Sequence, residues 1–213
     1  MLTLYTSGTT KAPKTVNHKW NDLNSAIDRS IAEIGLTSKD TVLDVFPANT
    51  IAHYTITAMP AYRANATLVS AKFEANHYIN LFKKIQPTYI ALIPRHWELL
   101  QETNSWKDLD MSCVRYMVTG SGPVSQEMID DFKNKGVKTV ANWYGMTEQP
   151  PPVFIGYNSE QFDFSPKDGY IVDFSDDGEC IINGFATGDI FNTETKKFVS
   201  RKESSLGKTW KTI

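Results

Sequence analysis

Between residues 20 and 142 the chain alternates short apolar runs of strand character with amphipathic helical stretches, and this alternation limits the available folds more than any other feature. Asn17 can cap a helix in which Trp20, Leu23, Ile27, Ile31 and Ile34 recur at helical spacing as a core stripe until Gly35 ends it. Strands are expected over 41–46, 66–70, 88–93, 114–119 and 137–142. Helices are expected over 51–62, 76–85, 97–100 after Pro94, and 126–135 between the cap Ser125 and the closing Gly136. Parallel neighbours require a crossover, which each helix supplies, so the expectation is α/β: a parallel sheet with flanking helices. Beyond Pro150 the pattern changes. Three consecutive prolines, Pro150 to Pro152, exclude helix, and alternating pieces flank the hairpin signal Asp176-Asp177-Gly178. A second hairpin is expected to join Ile190-Phe191 to Phe198-Val199. The division is therefore an α/β core over 1–150 followed by a small antiparallel β-rich subdomain over 151–200.

Composition narrows the functional classes. With 213 residues the chain can bury a real core, and its formal charge of −2 with no Lys/Arg run longer than a pair argues against a nucleic-acid binder. No apolar run approaches bilayer length, and a cytoplasmic protein without a membrane partner is expected. Cys113 and Cys180 are expected as separate reduced thiols.

Three stretches carry chemistry. The first follows the apolar run Leu2 to Tyr5, where Thr6, Ser7, Gly8, Thr9 and Thr10 lead to Pro13 and Lys14. Small hydroxyl residues let backbone N–H groups approach an anion, and a lysine adds a mobile positive charge, so the loop suits phosphate; a Ser/Thr-rich turn after an edge strand is the alternative. Residues 8–15 share the spacing of a Walker loop, but Pro13 stands where that loop needs its second glycine. The second stretch is Asn142-Trp143-Tyr144-Gly145-Met146-Thr147-Glu148 at a strand end, which offers an aromatic face, a hydroxyl and a carboxylate, or is simply a strand-end turn. The third is Thr187-Gly188-Asp189 with Arg201 beyond it, suited to ribose hydroxyls or to a solvated turn. His18, His53, His77 and His96 lack metal-ligand spacing and read as helix-end or surface residues.

Taken in order, these stretches resemble the signatures of the adenylate-forming superfamily of acyl-CoA synthetases, luciferases and peptide-synthetase adenylation domains. The first is similar to YTSGTTGxPKG, with Lys11 and Thr15 in place of two glycines; the second matches YGxTE; the third is similar to the TGD motif and its following hinge arginine, with Glu203 where an aspartate is common. Between them, Gly120-Ser121-Gly122-Pro123 is similar to the Gly-Gly-Ala-Pro turn that lies against adenine.

The resemblance implies a nucleotide-binding core over 1–150, a hinge remnant or tail over 201–213, and a truncated form lacking an N-terminal segment and the C-terminal domain that supplies a lysine. It implies ATP or AMP and Mg2+ as ligands and a small carboxylic acid as co-substrate. Thr6, Ser7, Gly8, Thr9, Thr10 and Lys14 would take the β- and γ-phosphates, Thr147 the α-phosphate, and Glu148 the magnesium. Gly120, Ser121, Gly122, Tyr144 and Gly145 would hold the adenine, and Asp189 with Arg201 the ribose; Lys14, Thr147 and Glu148 would be the catalytic set. His53 could replace the family's acyl-pocket histidine only if its loop shifts, and Trp143, Tyr54 and Met146 are candidates for lining that pocket. Adenylation is expected ahead of thioester formation, which leaves the use of CoA open. Three readings follow: a minimal adenylating domain, a non-catalytic nucleotide-binding or scaffold module, and half of a split ligase completed by a C-terminal-domain chain. A homodimer is a further way to cover apolar surface.

Overall fold

A computed structural model of the protein describes residues 1–6 and 14–202. Its centre is a six-stranded sheet formed by β3 (Thr41–Asp44), β4 (Thr67–Ser70), β5 (Tyr89–Ala91), β6 (Tyr116–Gly120), β7 (Val140–Tyr144) and β8 (Phe154–Tyr157), in the order β4-β3-β5-β6-β7-β8. All neighbours pair in parallel except β8, which runs antiparallel to β7 with Trp143 opposite Ile155. A strand buried on both faces needs apolar side chains at odd and even positions alike, which is why these segments read as continuous apolar runs. Val42, Tyr89, Tyr116 and Ala141 meet Ile34 at the end of α1 (Trp20–Ile34) and Ala61 of α2 (Ala58–Arg63) on one face. Leu43, Ile90, Met117 and Val140 point the other way, onto Phe82 of α3 (Ala75–Ile85), Leu100 of α4 (Pro94–Gln101) and Phe132 of α5 (Gln126–Asn134).

From β3 the chain moves to β4 on one side and then to β5 on the other. That reversal opens a crevice at the carboxyl ends of β3 and β5, where open α/β sheets bind ligands. The segment expected as one helix over 51–62 instead begins with a π-helical turn, His53–Thr57, and continues as α2. Pro60 cannot donate to the carbonyl of Ile56, and the buried Tyr89 hydroxyl donates to that carbonyl instead at 2.8 Å.

A second, four-stranded antiparallel sheet follows, β9 (Val172–Phe174), β10 (Glu179–Ile182), β11 (Phe185–Asn192) and β12 (Lys197–Arg201), in the order β12-β11-β10-β9. Phe154, Phe162, Cys180, Ile182 and Phe191 form the apolar seam joining it to the large sheet. The expected fold class, a sheet of parallel strands with flanking helices and a small antiparallel unit after it, is thus what the chain forms.

Local readings needed correction at four places. Residues 14–18 are a strand, β2 (Lys14–His18), paired antiparallel with β1 (Leu2–Thr6). Asn17 lies within that strand and accepts from the Thr3 hydroxyl at 2.8 Å, while Lys19 takes the N-cap position of α1 without a side-chain bond. Trp20, counted in the core stripe, is 48% exposed, because the first turn of α1 projects past the sheet. Strand β8, which follows the three prolines, was not expected at all.

Candidate functional site

The turn after β6 packs against β7 so closely that a Cβ on Gly120 would lie 2.4 Å from the Trp143 carbonyl oxygen. Only glycine fits there. Ser121 follows with φ 60°, a left-handed conformation that L residues adopt at a cost. Gly120 and Ser121 line a narrow cleft with Phe46, Ile56, Leu92, Val118, Trp143, Gly145 and Pro151. Its cavity is about 20 Å³, room for one water, so a substrate entering it must displace side chains. Gly122 faces a different cavity of about 60 Å³, bounded by Pro123, Asn142, Glu160, Phe162 and Phe198. The three residues read together as an adenine wall therefore divide between two hollows.

Gly145 is pressed against Pro151, where a Cβ would approach Pro151 Cα to 2.7 Å. This contact tightens the turn that carries Thr147 and Glu148. Met146 and Gln149 close the turn by exchanging backbone hydrogen bonds at 2.9 and 3.1 Å.

Tyr144, Asp189 and Arg201, taken from two separate motifs and the hinge, converge. The Tyr144 hydroxyl donates to Asp189 Oδ2 at 2.8 Å, and Arg201 Nε lies 3.3 Å from Asp189 Oδ1. The pairing of β11 with β12 sets Asp189 directly opposite Arg201. Burial of Asp189 raises its pKa above the ordinary carboxylate value, and the neighbouring Glu148 charge pushes the same way, against the opposing pull of Arg201 and the Tyr144 hydroxyl. One face of the Tyr144 ring is stacked on Phe154 at 4.6 Å, Phe162 and Phe191 pack against it in T-shaped contacts, and the residue is only 8% exposed, so a purine could stack on it only after neighbouring side chains move. Burial drives the Tyr144 phenol far above its usual pKa, and the Asp189 charge adds to this, which keeps the hydroxyl a donor.

Ser7, Gly8, Thr9 and Thr10 lie outside the described residues, as do the side chains of Thr6 and Lys14; the backbone register sets Thr6 opposite Lys14 at the loop end of the β1–β2 hairpin. At the other end of that hairpin stands His18, which is not a surface residue. It is only 6% exposed, and its Nε2 lies 2.7 Å from the Thr147 carbonyl oxygen. The period-two alternation of residues 14–18 was the available signal, since it turns Val16 and His18 to the same side.

His96 also differs from a surface residue. It stacks on Phe73 at 4.0 Å, its Nδ1 is buried without a partner, and burial lowers its pKa to about 4, leaving it neutral at physiological pH. His53 donates from Nδ1 to the buried Asp44 at 2.8 Å, and Asp44 also accepts from the Thr57 hydroxyl at 2.7 Å and from Ser70 at 3.2 Å. Of the three pocket candidates, Trp143 lines the narrow cleft, while Tyr54 and Met146 do not.

Among the described residues, no group of three or more His, Cys, Asp or Glu is arranged to hold a metal ion alone. Magnesium commonly takes one or two carboxylates and fills the remaining positions with phosphate oxygens and water. The half-buried Glu148, near Asp189, fits that demand. No helix among the described residues is long and apolar enough to cross a membrane.

Comparison with known proteins gives a consistent result. A family model described as AMP-binding enzyme matches residues 1–173. The chain is 31% identical over 157 residues to an indoleacetate–CoA ligase of Aromatoleum aromaticum, covering 71% of this chain and 30% of that protein. It is 29% identical over 153 residues to 4-coumarate–CoA ligase 3 of Arabidopsis thaliana, covering 69% and 27%. The chain thus spans about 30% of the length of these curated relatives. Among solved structures, an O-succinylbenzoate coenzyme A synthetase from Bacillus subtilis in complex with ATP and magnesium superposes with a TM-score of 0.77 at 20% identity, over 93% of this chain and 49% of the other. An anthranilate CoA ligase bound to anthranoyl-AMP gives 0.80 at 16%, over 93% and 46%. At such identities the likeness establishes the fold.

Proposed function

Because the chain belongs to the AMP-binding enzyme family, we propose that it binds a magnesium-bound adenine nucleotide and transfers the adenylyl group to a small carboxylic acid. The observation that carries this reading is the convergence of Tyr144, Asp189 and Arg201 beside the Thr147–Glu148 turn. Asp189, with its second oxygen directed at Arg201, is the acceptor for the ribose hydroxyls. Gly120 and Ser121, with Gly145, border the adenine from the narrow cleft and Tyr144 from the neighbouring strand end, while Gly122, which faces the second cavity, shapes the turn without meeting the base. The Thr147 hydroxyl meets the α-phosphate, and Thr6, Ser7, Gly8, Thr9, Thr10 and Lys14 meet the β- and γ-phosphates. Glu148 would hold the magnesium, which supplies positive charge against the phosphate oxygens.

In the proposed step a carboxylate oxygen of the substrate attacks the α-phosphorus, the bond to the β-phosphate oxygen breaks, and pyrophosphate leaves with the electron pair. The substrate is its own nucleophile, so this chain's task is alignment and neutralisation of charge, with Lys14, Thr147 and Glu148 as the catalytic set. The names of the indoleacetate and 4-coumarate ligases make aromatic acids the first candidates, with the narrow cleft beside Trp143 as their entry.

Carboxylate-dependent exchange of labelled pyrophosphate into ATP tests the proposal across a panel of acids. Exchange that depends on acid and on magnesium, and that is lost in Lys14→Ala and Glu148→Ala, is expected. Failure of the wild-type chain to bind AMP or ATP in magnesium by calorimetry would refute it. The small cleft favours a second reading, a module that binds nucleotide without turnover, for which calorimetric binding accompanied by no exchange is the expected result.

A further inference from the structure

The bond between His18 and Thr147 joins two parts of the chain 129 residues apart, and both partners lie at the proposed site. A carbonyl oxygen can only accept, so His18 Nε2 carries the hydrogen and donates, which fixes the tautomer of the uncharged ring. Thr147 belongs to a turn closed by the mutual backbone bonds of Met146 and Gln149, and its own carbonyl accepts from His18. His18 is the last residue of β2, held opposite Leu2, so its ring is carried by a paired strand and not by a loop. With only 6% of its surface exposed, the ring meets this carbonyl away from competing water, where a hydrogen bond fixes orientation most firmly.

We propose that His18 is a positioning residue: by holding the Thr147 carbonyl it orients the Thr147 hydroxyl and the Glu148 carboxylate toward a magnesium-bound phosphate. The assignment rests on the function proposed above, in which those two side chains meet the α-phosphate and the metal. A peptide plane anchored at its oxygen cannot rotate, and rotation of the 147–148 peptide would carry both side chains away from a shared target. Asp189, Arg201 and Tyr144 are held by bonds of their own and do not depend on His18. The two halves of the nucleotide should therefore respond differently when His18 is changed.

Calorimetric affinities for adenosine, for AMP with magnesium and for ATP with magnesium provide the test, with thermal unfolding recorded alongside. In His18→Leu the affinity for the magnesium nucleotides should fall at least tenfold and the affinity for adenosine less than threefold. In His18→Gln, whose amide nitrogen reaches about as far as the imidazole Nε2, magnesium-nucleotide affinity should return to within threefold of wild type. His18→Asn, too short to reach, should behave as the leucine variant does. Equal affinities in wild type and His18→Asn would overturn the proposal, as would a parallel loss for adenosine and the magnesium nucleotides, which marks a purely structural role. If the leucine variant does not fold, the contrast between Gln and Asn decides, and equal behaviour of those two refutes the assignment. A wild-type chain that binds neither adenosine nor either magnesium nucleotide would instead defeat the functional proposal itself.

Discussion

Replacing Asp189 by Asn separates the part of this residue that serves a ligand from the part that serves the fold. The carboxylate is 7% exposed and held by the Tyr144 hydroxyl at 2.8 Å and Arg201 Nε at 3.3 Å. Its raised pKa means that burial penalises the charge more than these two partners favour it. An asparagine keeps the acceptor for Tyr144 and removes the buried charge. What it loses is the pairing with Arg201, whose side chain is 37% exposed, so solvent screening limits that pair to about 0–1 kcal/mol. Folding stability should therefore change by no more than about 1 kcal/mol, or about 2–4 °C in Tm for a chain of this size.

Ligand binding should change far more. A hydrogen bond to a charged acceptor contributes about 1.5–3 kcal/mol against about 0.5–1.5 kcal/mol for a neutral one, so two ribose hydroxyls lose about 2–3 kcal/mol, or about 30- to 150-fold in Kd for AMP. The pH dependence follows from the raised pKa. The unfolded chain releases the Asp189 proton first, so this group's contribution to stability declines as pH rises from about 4 through its higher folded-state value, and the asparagine variant lacks that decline. Thermal unfolding across pH and calorimetry with AMP measure both effects. Destabilisation beyond about 3 kcal/mol with unchanged AMP affinity would show Asp189 to be a structural anchor and refute the argument.

Three further outcomes follow from other parts of the molecule. Asp40 accepts from Arg115 at 2.7 and 2.8 Å, and although burial opposes it, these bonds and one from Thr88 hold its carboxyl well below the usual range; Asp40→Asn should cost about 2–3 kcal/mol at neutral pH, and in urea unfolding the difference from wild type should begin to shrink as pH falls below about 4 and disappear only as pH passes through the far lower folded-state value. Ser121→Gly relieves a left-handed serine at φ 60° and should raise stability by about 0.5–1 kcal/mol, read as a higher Tm. Asp131 accepts from the indole nitrogens of both Trp97 and Trp106 at 2.8 and 2.9 Å, so Asp131→Leu leaves two buried donors unpaired and should cost about 2–5 kcal/mol in denaturant unfolding, with an unchanged m value.

Elements held together by neighbours in the chain were legible in the sequence. Gly35 ends α1 in the left-handed conformation, Ser125 caps α5 by accepting from the Met128 N–H at 3.2 Å, and the Asp176–Gly178 signal does separate β9 from β10. The hairpin that joins β11 to β12 was readable as well, but the pairing of Asp189 with Arg201 was not, because a bulge between Ile190 and Phe191 shifts the register by one residue and brings Arg201, in place of Ser200, opposite Asp189. Motif order alone, by contrast, could not say that Tyr144 spends one ring face on Phe154, or that Gly122 opens away from Ser121.

The sequence by itself determined the class of fold, because apolar periodicity is a local property: two residues per repeat in a strand and about 3.6 in a helix. It also determined the chemical types available, from the Thr6–Lys14 loop to Arg201. Only the tertiary structure decided which of these meet. The antiparallel strand β8 exists because β7 offers it an edge, and His18 is buried because the Thr147 turn, 129 residues away, lies over it. Contacts of that kind depend on how whole elements pack, so no window of neighbouring residues encodes them.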